Sequence, residues 1–302
     1  MKVLITGATG TLGQELIERF YNEWEIVAYS RDELKQAKLE FRYPKVKYVI
    51  GDVRDYERVY GAMEGVDAVI HAAAMKRIEV CERDPVEAVK TNVIGTENVA
   101  RAAINRGIRR AIVIGSDKGV EPVNAYGMTK ALQEKIFTSY GYNSARYGNV
   151  FGSRGSVVPL FKEWAAAGRT LRVTDPEMTR FILTAEDAIN LIMVAFNSPM
   201  QGDVFVKQSP AARLSDIAAA FSSDIQIVGK MPGEKLHESL IAPEEFTRSE
   251  LLDEGYVVIR RHSTGMAHRP AYTSDTERLL TPQEIRNLAD STVPDYEYAG
   301  VR

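Results

Sequence analysis

A glycine-rich loop set between an apolar strand and a helix, all within the first twenty-one residues, constrains this chain more than any other feature. Lys2-Val-Leu-Ile-Thr6 reads as a short buried strand. Gly7-Ala-Thr-Gly10-Thr-Leu-Gly13 follows at once and leads into a helical run from Gln14 to Tyr21. Glycines at the first, fourth and seventh places let the backbone turn tightly, approach a ligand and seat the helix close to the strand. The new helix start offers N–H groups and a positive dipole end to a pyrophosphate. A merely tight turn needs no such flanks, so the setting argues for a dinucleotide site. Further strands are read at Glu25–Tyr29, Val46–Ile50, Asp67–Ala74 and Ala111–Ile114, with helices between them, including one from Pro85 to Arg106. That alternation predicts an α/β fold: a doubly wound parallel sheet of the Rossmann type.

The strand tips carry the next information. Glu25–Tyr29 ends in Ser30-Arg31-Asp32-Glu33. A carboxylate at this tip serves a ribose 2′-hydroxyl, whereas a hydroxyl beside a guanidinium suits a 2′-phosphate, so NADP is the expected cofactor. Asp32 or Glu33 would then cap the following helix. Asp52, after the third strand, either accepts from an adenine amino group or caps a helix. Ala72, Ala73 and Ala74 would let a flat cofactor lie across the fourth strand's end, although small-residue packing reads the same way. Lys76 and Arg77 come next and can meet a phosphate. Asn92 stands inside a helix, where an amide usually bridges backbone to a neighbouring strand.

Chemistry concentrates in Gly115–Lys130, GSDKGVEPVNAYGMTK. Tyr126 and Lys130 are four apart, and on a helix they share a face. An ammonium beside the phenol would lower its pKa and fit it to take a proton from an alcohol. Ser116-Asp117-Lys118 leaves the end of the fifth strand, where open α/β sheets bind ligands. Each pair also has a plain reading, as a helix start and as a solvated loop.

Composition narrows the classes. The chain has 302 residues, 45% of them hydrophobic, and a net charge of −3. That balance gives no electrostatic case for nucleic acid or an anionic membrane as partner. Cys81 is the only cysteine and the four histidines show no metal-ligand spacing, so no metal is expected. No stretch reaches the roughly 18–20 apolar residues of a membrane span, and a strand starting at Lys2 leaves no room for a signal peptide, so the expected location is cytoplasmic.

With these residues in hand, the sequence resembles the extended short-chain dehydrogenase/reductases, and more narrowly the soluble UDP-N-acetylglucosamine 4,6-dehydratases that invert C5. The matching segments are GATGTLG, YSRDE, GDVRD, HAAAMK, PVEAVKTNVIGTENV, SDKG, AYGMTK, RYGNVFGSRGSVVPLF, TDPEMTRF and PGEKLHE, in family order. The resemblance implies a cofactor site of Gly7, Thr9, Gly10, Thr11, Leu12, Gly13, Ser30, Arg31, Asp52, Val53, Ala72, Ala73, Ala74, Lys76, Asn92, Tyr126, Lys130, Tyr147, Asn149 and Val150. It implies substrate contacts from Lys76, Asn149, Arg154, Val157, Thr174, Thr179, Arg180, Glu234 and Lys235, with cations among them meeting the UDP diphosphate. It also implies the catalytic roles: Tyr126, with Lys130, takes the C4 hydroxyl proton as C4 is oxidised. Lys118 removes the C5 proton, Asp117 protonates the departing C6 hydroxyl, and Ser116 hydrogen-bonds the sugar. A homo-oligomer is implied as well. Two departures stand out: glycine occupies position 115 where the family often has a hydroxyl, and the chain between Lys135 and Arg146 is short.

The expected organisation is an NADP-binding domain over 1–150, to which 184–206 returns, and a smaller interwoven nucleotide-sugar lobe formed by 151–183 and 207–302. Two rival readings share parts of this pattern. A nucleotide-sugar 4-epimerase would keep the loop, Tyr126 and Lys130 but has no use for Asp117-Lys118. A non-catalytic NADP-binding module would need neither Tyr126 nor Lys130.

Overall fold

The computed structural model describes residues 1–153, 155–263 and 265–291. In chain order the first elements are β1 (Lys2–Thr6), α1 (Thr11–Phe20), β2 (Glu25–Ser30), α2 (Glu33–Arg42), β3 (Lys47–Ile50), α3 (Tyr56–Ala62) and β4 (Ala68–His71). They are followed by α4 (Ile78–Arg83), α5 (Pro85–Ala88), a π-helical segment (Val89–Ile94), α6 (Gly95–Asn105), β5 (Arg110–Ile114), α7 (Ala125–Ser139) and β6 (Asn143–Arg146). β3, β2, β1, β4, β5 and β6 lie side by side, all parallel, and Val204–Lys207 joins β6 in parallel. Two antiparallel strands, Tyr256–Ile259 and Ser249–Leu251, complete a nine-stranded sheet. The doubly wound parallel sheet expected from the sequence is therefore present, with a longer edge: both added strands come from the stretch assigned above to the second lobe.

β1, β2, β4 and β5 bury apolar side chains on both faces, as a parallel sheet covered on both sides requires, whereas β6 carries Asn143, Ser144 and Arg146. Val3 and Ile5 of β1 enter one core with α1 and the helix Ala185–Asn197, while Leu4 between them enters the other, with Val99 of α6 and Phe137 of α7. Ile112 and Ile114 divide from Ala111 and Val113 in the same way. Full burial of such a side chain is worth about 1.5–3 kcal/mol, and the alternation doubles the number of surfaces each strand contributes.

The helix expected from Pro85 to Arg106 runs without a break to Asn105 but changes its winding on the way. Its first turn is α5, its centre is π-helical and Gly95–Asn105 returns to regular α-helix. Asn92 lies in the π segment: its Oδ1 accepts from the Met75 amide at 2.7 Å, and its Nδ2 donates to Met75 O and Thr129 Oγ1. The widened turn lets one amide tie the loop after β4 to α7. Val86, Val89 and Ile94 on these segments, and Met128 and Leu132 on α7, are exposed.

A second set of small sheets sits beside the large one. Ala211–Arg213, Thr179–Leu183 and Asn149–Val150 form one, and Leu171–Val173 pairs with Ile225–Ile227. Ser239–Ile241 pairs with Tyr272–Thr273. Their core holds Phe151, Phe161, Leu171, Val173 and Ile217. Among the described residues, no helix is long and apolar enough to cross a membrane and no cluster is suited to a metal ion.

Candidate active site

The strand tips of the parallel sheet carry the site. Gly7 has a φ of +69°, and a Cβ there would lie 2.8 Å from the Ala73 amide nitrogen, so the loop is laid flush against the end of β4. A Cβ at Gly13 would meet Ala8 Cα at 2.5 Å, which seats α1 tight on the loop that leaves β1. Gly10 is the N-cap of α1 and supplies no side-chain cap, which leaves that helix end open to an anion. Ala72, Ala73 and Ala74 are half-buried beside the loop, and Lys76 and Arg77 beyond them are exposed. This cradle fits the pyrophosphate of a dinucleotide.

At the tip of β2, Asp32 caps α2: its Oδ1 accepts from the Lys35 amide at 3.0 Å, and Oδ2 lies 2.6 Å from the Lys35 ammonium. These bonds hold its carboxyl below the usual range. Ser30 is buried and its Oγ accepts from Gln36 Nε2 at 2.9 Å. Arg31 is largely exposed, 3.6 Å from Asp52 Oδ2. The cap of α3 is Asp55 rather than Asp52. Asp52 is instead bonded to Arg54 through Nε at 2.9 Å and Nη2 at 2.7 Å. Two arginines therefore occupy its carboxylate, a state that neither sequence reading of this residue anticipated. Val53 is buried against Gly95.

Beyond β5 the chain forms a 3₁₀ turn, Asp117–Gly119, docked on the start of α7. A Cβ on Gly127 would sit 2.2 Å from Lys118 O, so only glycine permits this approach. The turn brings Lys118 beside Tyr126. Lys118 Nζ donates to Asp117 Oδ1 at 3.1 Å and to Asn149 Oδ1 at 3.0 Å. Ser116 Oγ donates to Asp117 Oδ1 at 3.0 Å. Asp117 is completely buried, Tyr126 nearly so, and the Lys118 side chain is 16% exposed. Burial works to lower the Lys118 pKa, but the charges of Asp117 and Glu238 outweigh it and the ammonium is held above its usual value.

Tyr126 differs from the sequence expectation. Its phenol is pushed up, by burial first, while the Lys118 charge and a hydrogen bond with Ser116 work to lower it. Lys130 is not the cation acting on it. The Lys130 ammonium donates to Ile114 O at 2.5 Å and to Gln133 Oε1, because a buried ammonium must satisfy its donors and the carbonyl ending β5 is within reach. Burial lowers Lys130 to about 7, with Glu134 opposing. The i to i+4 spacing places both residues on one face, but the far end of a long side chain goes where its bonds are.

The remaining expected residues divide. Thr179–Leu183 pairs with Asn149–Val150, with Ile182 opposite Asn149 and Leu183 opposite Val150, and Tyr147 O accepts from the Asp117 amide at 3.1 Å. Arg180 donates to Thr179 O, Leu236 O and Lys235 O, and Lys235 Nζ donates to Val120 O at 2.6 Å. Glu234 accepts from the Met231 amide, and Thr179 Oγ1 bonds His237 Nδ1 and Ser274 Oγ. The segment 231–238 is thereby strapped over the Lys118 turn. Thr174 bonds Met178 Sδ, and Val157 packs on the second core, so neither has a recorded bond to Lys118 or Tyr126 among the described residues. Arg154 lies outside the described residues. Sequence reasoning missed Glu238, buried 3.7 Å from Lys118; its only signal was a place at the end of PGEKLHE.

Comparison with known proteins agrees with this geometry. A family described as polysaccharide biosynthesis protein matches residues 3–260. A UDP-glucose 4-epimerase of Rickettsia conorii is 41% identical over 277 residues, covering 84% of this chain and 81% of its own. One of Rickettsia canadensis is 41% identical over 321 residues, covering 95% and 94%. Among solved structures, Pen from Bacillus thuringiensis superposes with a TM-score of 0.88 at 34% identity, over 95% of this chain and 96% of Pen. DesIV of Streptomyces venezuelae, a dTDP-glucose 4,6-dehydratase with NAD and TYD bound, gives 0.70 at 20% identity over 78% and 87%, a likeness of fold. The family match across most of the chain, with the loop, the sheet order and the Tyr126 site in place, makes this chain a member of the polysaccharide biosynthesis protein family within the extended short-chain dehydrogenase/reductases.

Proposed function

We propose that the chain is an NADP-dependent nucleotide-sugar 4,6-dehydratase that acts on UDP-N-acetylglucosamine and inverts C5. The observation that carries this reading is the buried Asp117–Lys118 ion pair beside Tyr126, 3.1 Å between Lys118 Nζ and Asp117 Oδ1. Elimination of water across C5 and C6 needs a base at one carbon and an acid at the next, and adjacent residues on one turn can serve both. Epimerisation at C4 needs neither.

The bound nicotinamide would take hydride from C4, return it to C6, and bring a positive charge that eases ionisation of the phenol. Tyr126 receives the C4 hydroxyl proton, with Ser116 and Lys118 stabilising the anion that forms. One proton passed from Lys118 Nζ to Asp117 Oδ1 gives a neutral amine and a carboxylic acid. Lys118 then takes the C5 proton, acidified by the C4 ketone, and Asp117 gives its proton to the leaving C6 hydroxyl. The pair ends as it began; C5 takes a proton from solvent on the opposite face as hydride reaches C6, and Tyr126 gives the C4 proton back to solvent. Gly7 to Gly13 would hold the pyrophosphate, and Lys130 would meet the nicotinamide ribose. The nucleotide-sugar lobe would comprise the small sheets over 151–183 and much of 207–302. A second copy of the chain would cover Val86, Val89, Ile94, Met128 and Leu132.

A second reading is a UDP-glucose 4-epimerase, the name carried by relatives 41% identical to this chain. Incubating the protein with UDP-N-acetylglucosamine, and separately with UDP-glucose, in deuterated water separates the two by NMR. A 4-keto-6-deoxy sugar bearing deuterium at C5 is expected. A C4 epimer with its C6 hydroxyl intact would overturn the dehydratase reading. Light scattering on the same sample should report a dimer or larger; a monomer at micromolar concentration would count against the second copy.

A further inference from the structure

Glu238 begins Ser239–Ile241 from the loop side and is only 3% exposed. Its main chain is pinned, the amide donating to Ser274 Oγ at 3.0 Å and the carbonyl accepting from the Ser274 amide at 2.9 Å. The side chain is held otherwise. Oε1 lies 3.7 Å from Lys118 Nζ and 3.8 Å from Arg180 Nε, while buried Oε2 has no hydrogen-bond partner. A carboxylate taken out of water without hydrogen bonds is costly, by several kcal/mol for the ion, unless nearby cations offset it. Two cations from two separate elements do so here: Lys118 from the turn after β5, and Arg180 from Thr179–Leu183. With Asp117, the cluster holds two positive and two negative groups.

We propose that Glu238 is a positioning residue for the dehydration, holding the Lys118 ammonium against Asp117 so that the proton these two share stays within the pair. The proposal rests on the dehydratase reading given above. In that scheme Asp117 can protonate the departing C6 hydroxyl only with a proton that Lys118 hands to it. If Lys118 lost that proton to solvent, the pair would retain a base but no acid. The anionic Glu238 opposes that loss. The groups facing Lys118 are Asp117 and Glu238, which favour its charged form, Arg180, which disfavours it, and Tyr126, which favours it once ionised. Asn149 adds a neutral acceptor at 3.0 Å. His237, next to Glu238, turns its ring to Thr179 and Asp275 instead.

Removing the charge while keeping the shape therefore has a signed consequence. In Glu238→Gln, Arg180 is left opposing Lys118 with one anion fewer to compensate. The alkaline limb of the kcat profile should move to lower pH. On the alkaline side of the limb kcat should fall by about tenfold for each unit of displacement, since each unit changes the competent population by that factor. At neutral pH, transient reduction of the nicotinamide by substrate, followed by stopped-flow absorbance, should persist because Tyr126 is untouched. Glu238→Asp, whose carboxylate is one methylene further from both cations, should place the limb between the two. A folded Glu238→Gln enzyme whose alkaline limb stays at the wild-type position, or whose loss is uniform across pH, overturns the proposal. Should that variant fail to fold, as judged by its thermal midpoint, Glu238→Asp decides it in the same way. Failure of the underlying reading is seen separately and earlier, as a wild-type enzyme that forms no 4-keto-6-deoxy product.

Discussion

Two lysines on one turn-and-helix unit have been given opposite characters by their surroundings. Lys118 is held charged by Asp117 and Glu238, while Lys130, buried against the Ile114 carbonyl and the Gln133 side chain, is lowered to about 7. This difference separates oxidation from elimination experimentally. On the proposed mechanism, Tyr126→Phe removes the acceptor of the C4 proton, so neither cofactor reduction nor C5 exchange should occur. Lys118→Ala leaves the phenol, so some transient reduction should remain while product formation falls at least ~100-fold, the usual contribution of a positioned general base. Stopped-flow absorbance beside C5 deuterium exchange reads both steps, and normal turnover by Lys118→Ala would rule out the elimination assignment. The Asp117–Lys118 pair was legible because its members are neighbours in sequence. Glu238 was not, since only the strapping of 231–238 by Arg180 and Lys235 brings it there. Gly115, an oddity in the sequence, has a steric reason: a Cβ would lie 2.8 Å from Glu134 Oε2 and 3.0 Å from Arg146 Cα.

At the scale of elements, period and punctuation located most strands and helices of the first half, because β1, β2, β4 and β5 are largely apolar and turns or caps precede most helices. What they could not show was the π segment, since Val89 to Ile94 keeps an ordinary helical pattern while Asn92 pulls the turn open toward Met75. Nor could they show which acidic residue at the tip of β2 was committed. Asp32 proves to be the cap of α2, tied to Lys35 twice, which removes it from the ribose position and leaves Arg31 the group exposed there. NADP should accordingly bind more tightly than NAD, and Arg31→Ala should narrow the difference. A charge-assisted contact contributes about 1.5–3 kcal/mol, and the lower end is expected because Arg31 already faces Asp52 at 3.6 Å. Titration calorimetry with both cofactors measures it; equal affinities in the unmodified protein would defeat the assignment.

For the molecule as a whole, one buried ion network ties the parallel sheet to the C-terminal strands. Arg146, at the end of β6, bonds Glu134 of α7, Leu240 O and both carboxylate oxygens of Glu245, the latter at 2.7 and 2.9 Å. Nothing in the local sequence announces it, because its three side chains come from separate stretches and each alone reads as a surface charge. Replacing Arg146 with Met should destabilise the fold by about 3–5 kcal/mol, since buried Glu134 loses its cation and Glu245 keeps only Arg248, at 3.2 Å. The acid response has a definite sign. Burial alone would raise the Glu245 carboxyl, but Arg146 and the Ala242 amide hold it at about 2, below its ordinary 4.5. A depressed carboxyl contributes stability that is complete above the unfolded value and is lost as pH falls toward the folded one. The thermal midpoint should therefore drop between about pH 4.5 and 2 as this group takes up its proton. Glu245→Gln cannot titrate, so its midpoint should begin lower at neutral pH and fall less steeply through that window. Calorimetry in matched buffers compares the two slopes. Identical slopes would mean that other carboxylates govern acid unfolding, and that the sheet and its C-terminal strands are held together by packing rather than by this network.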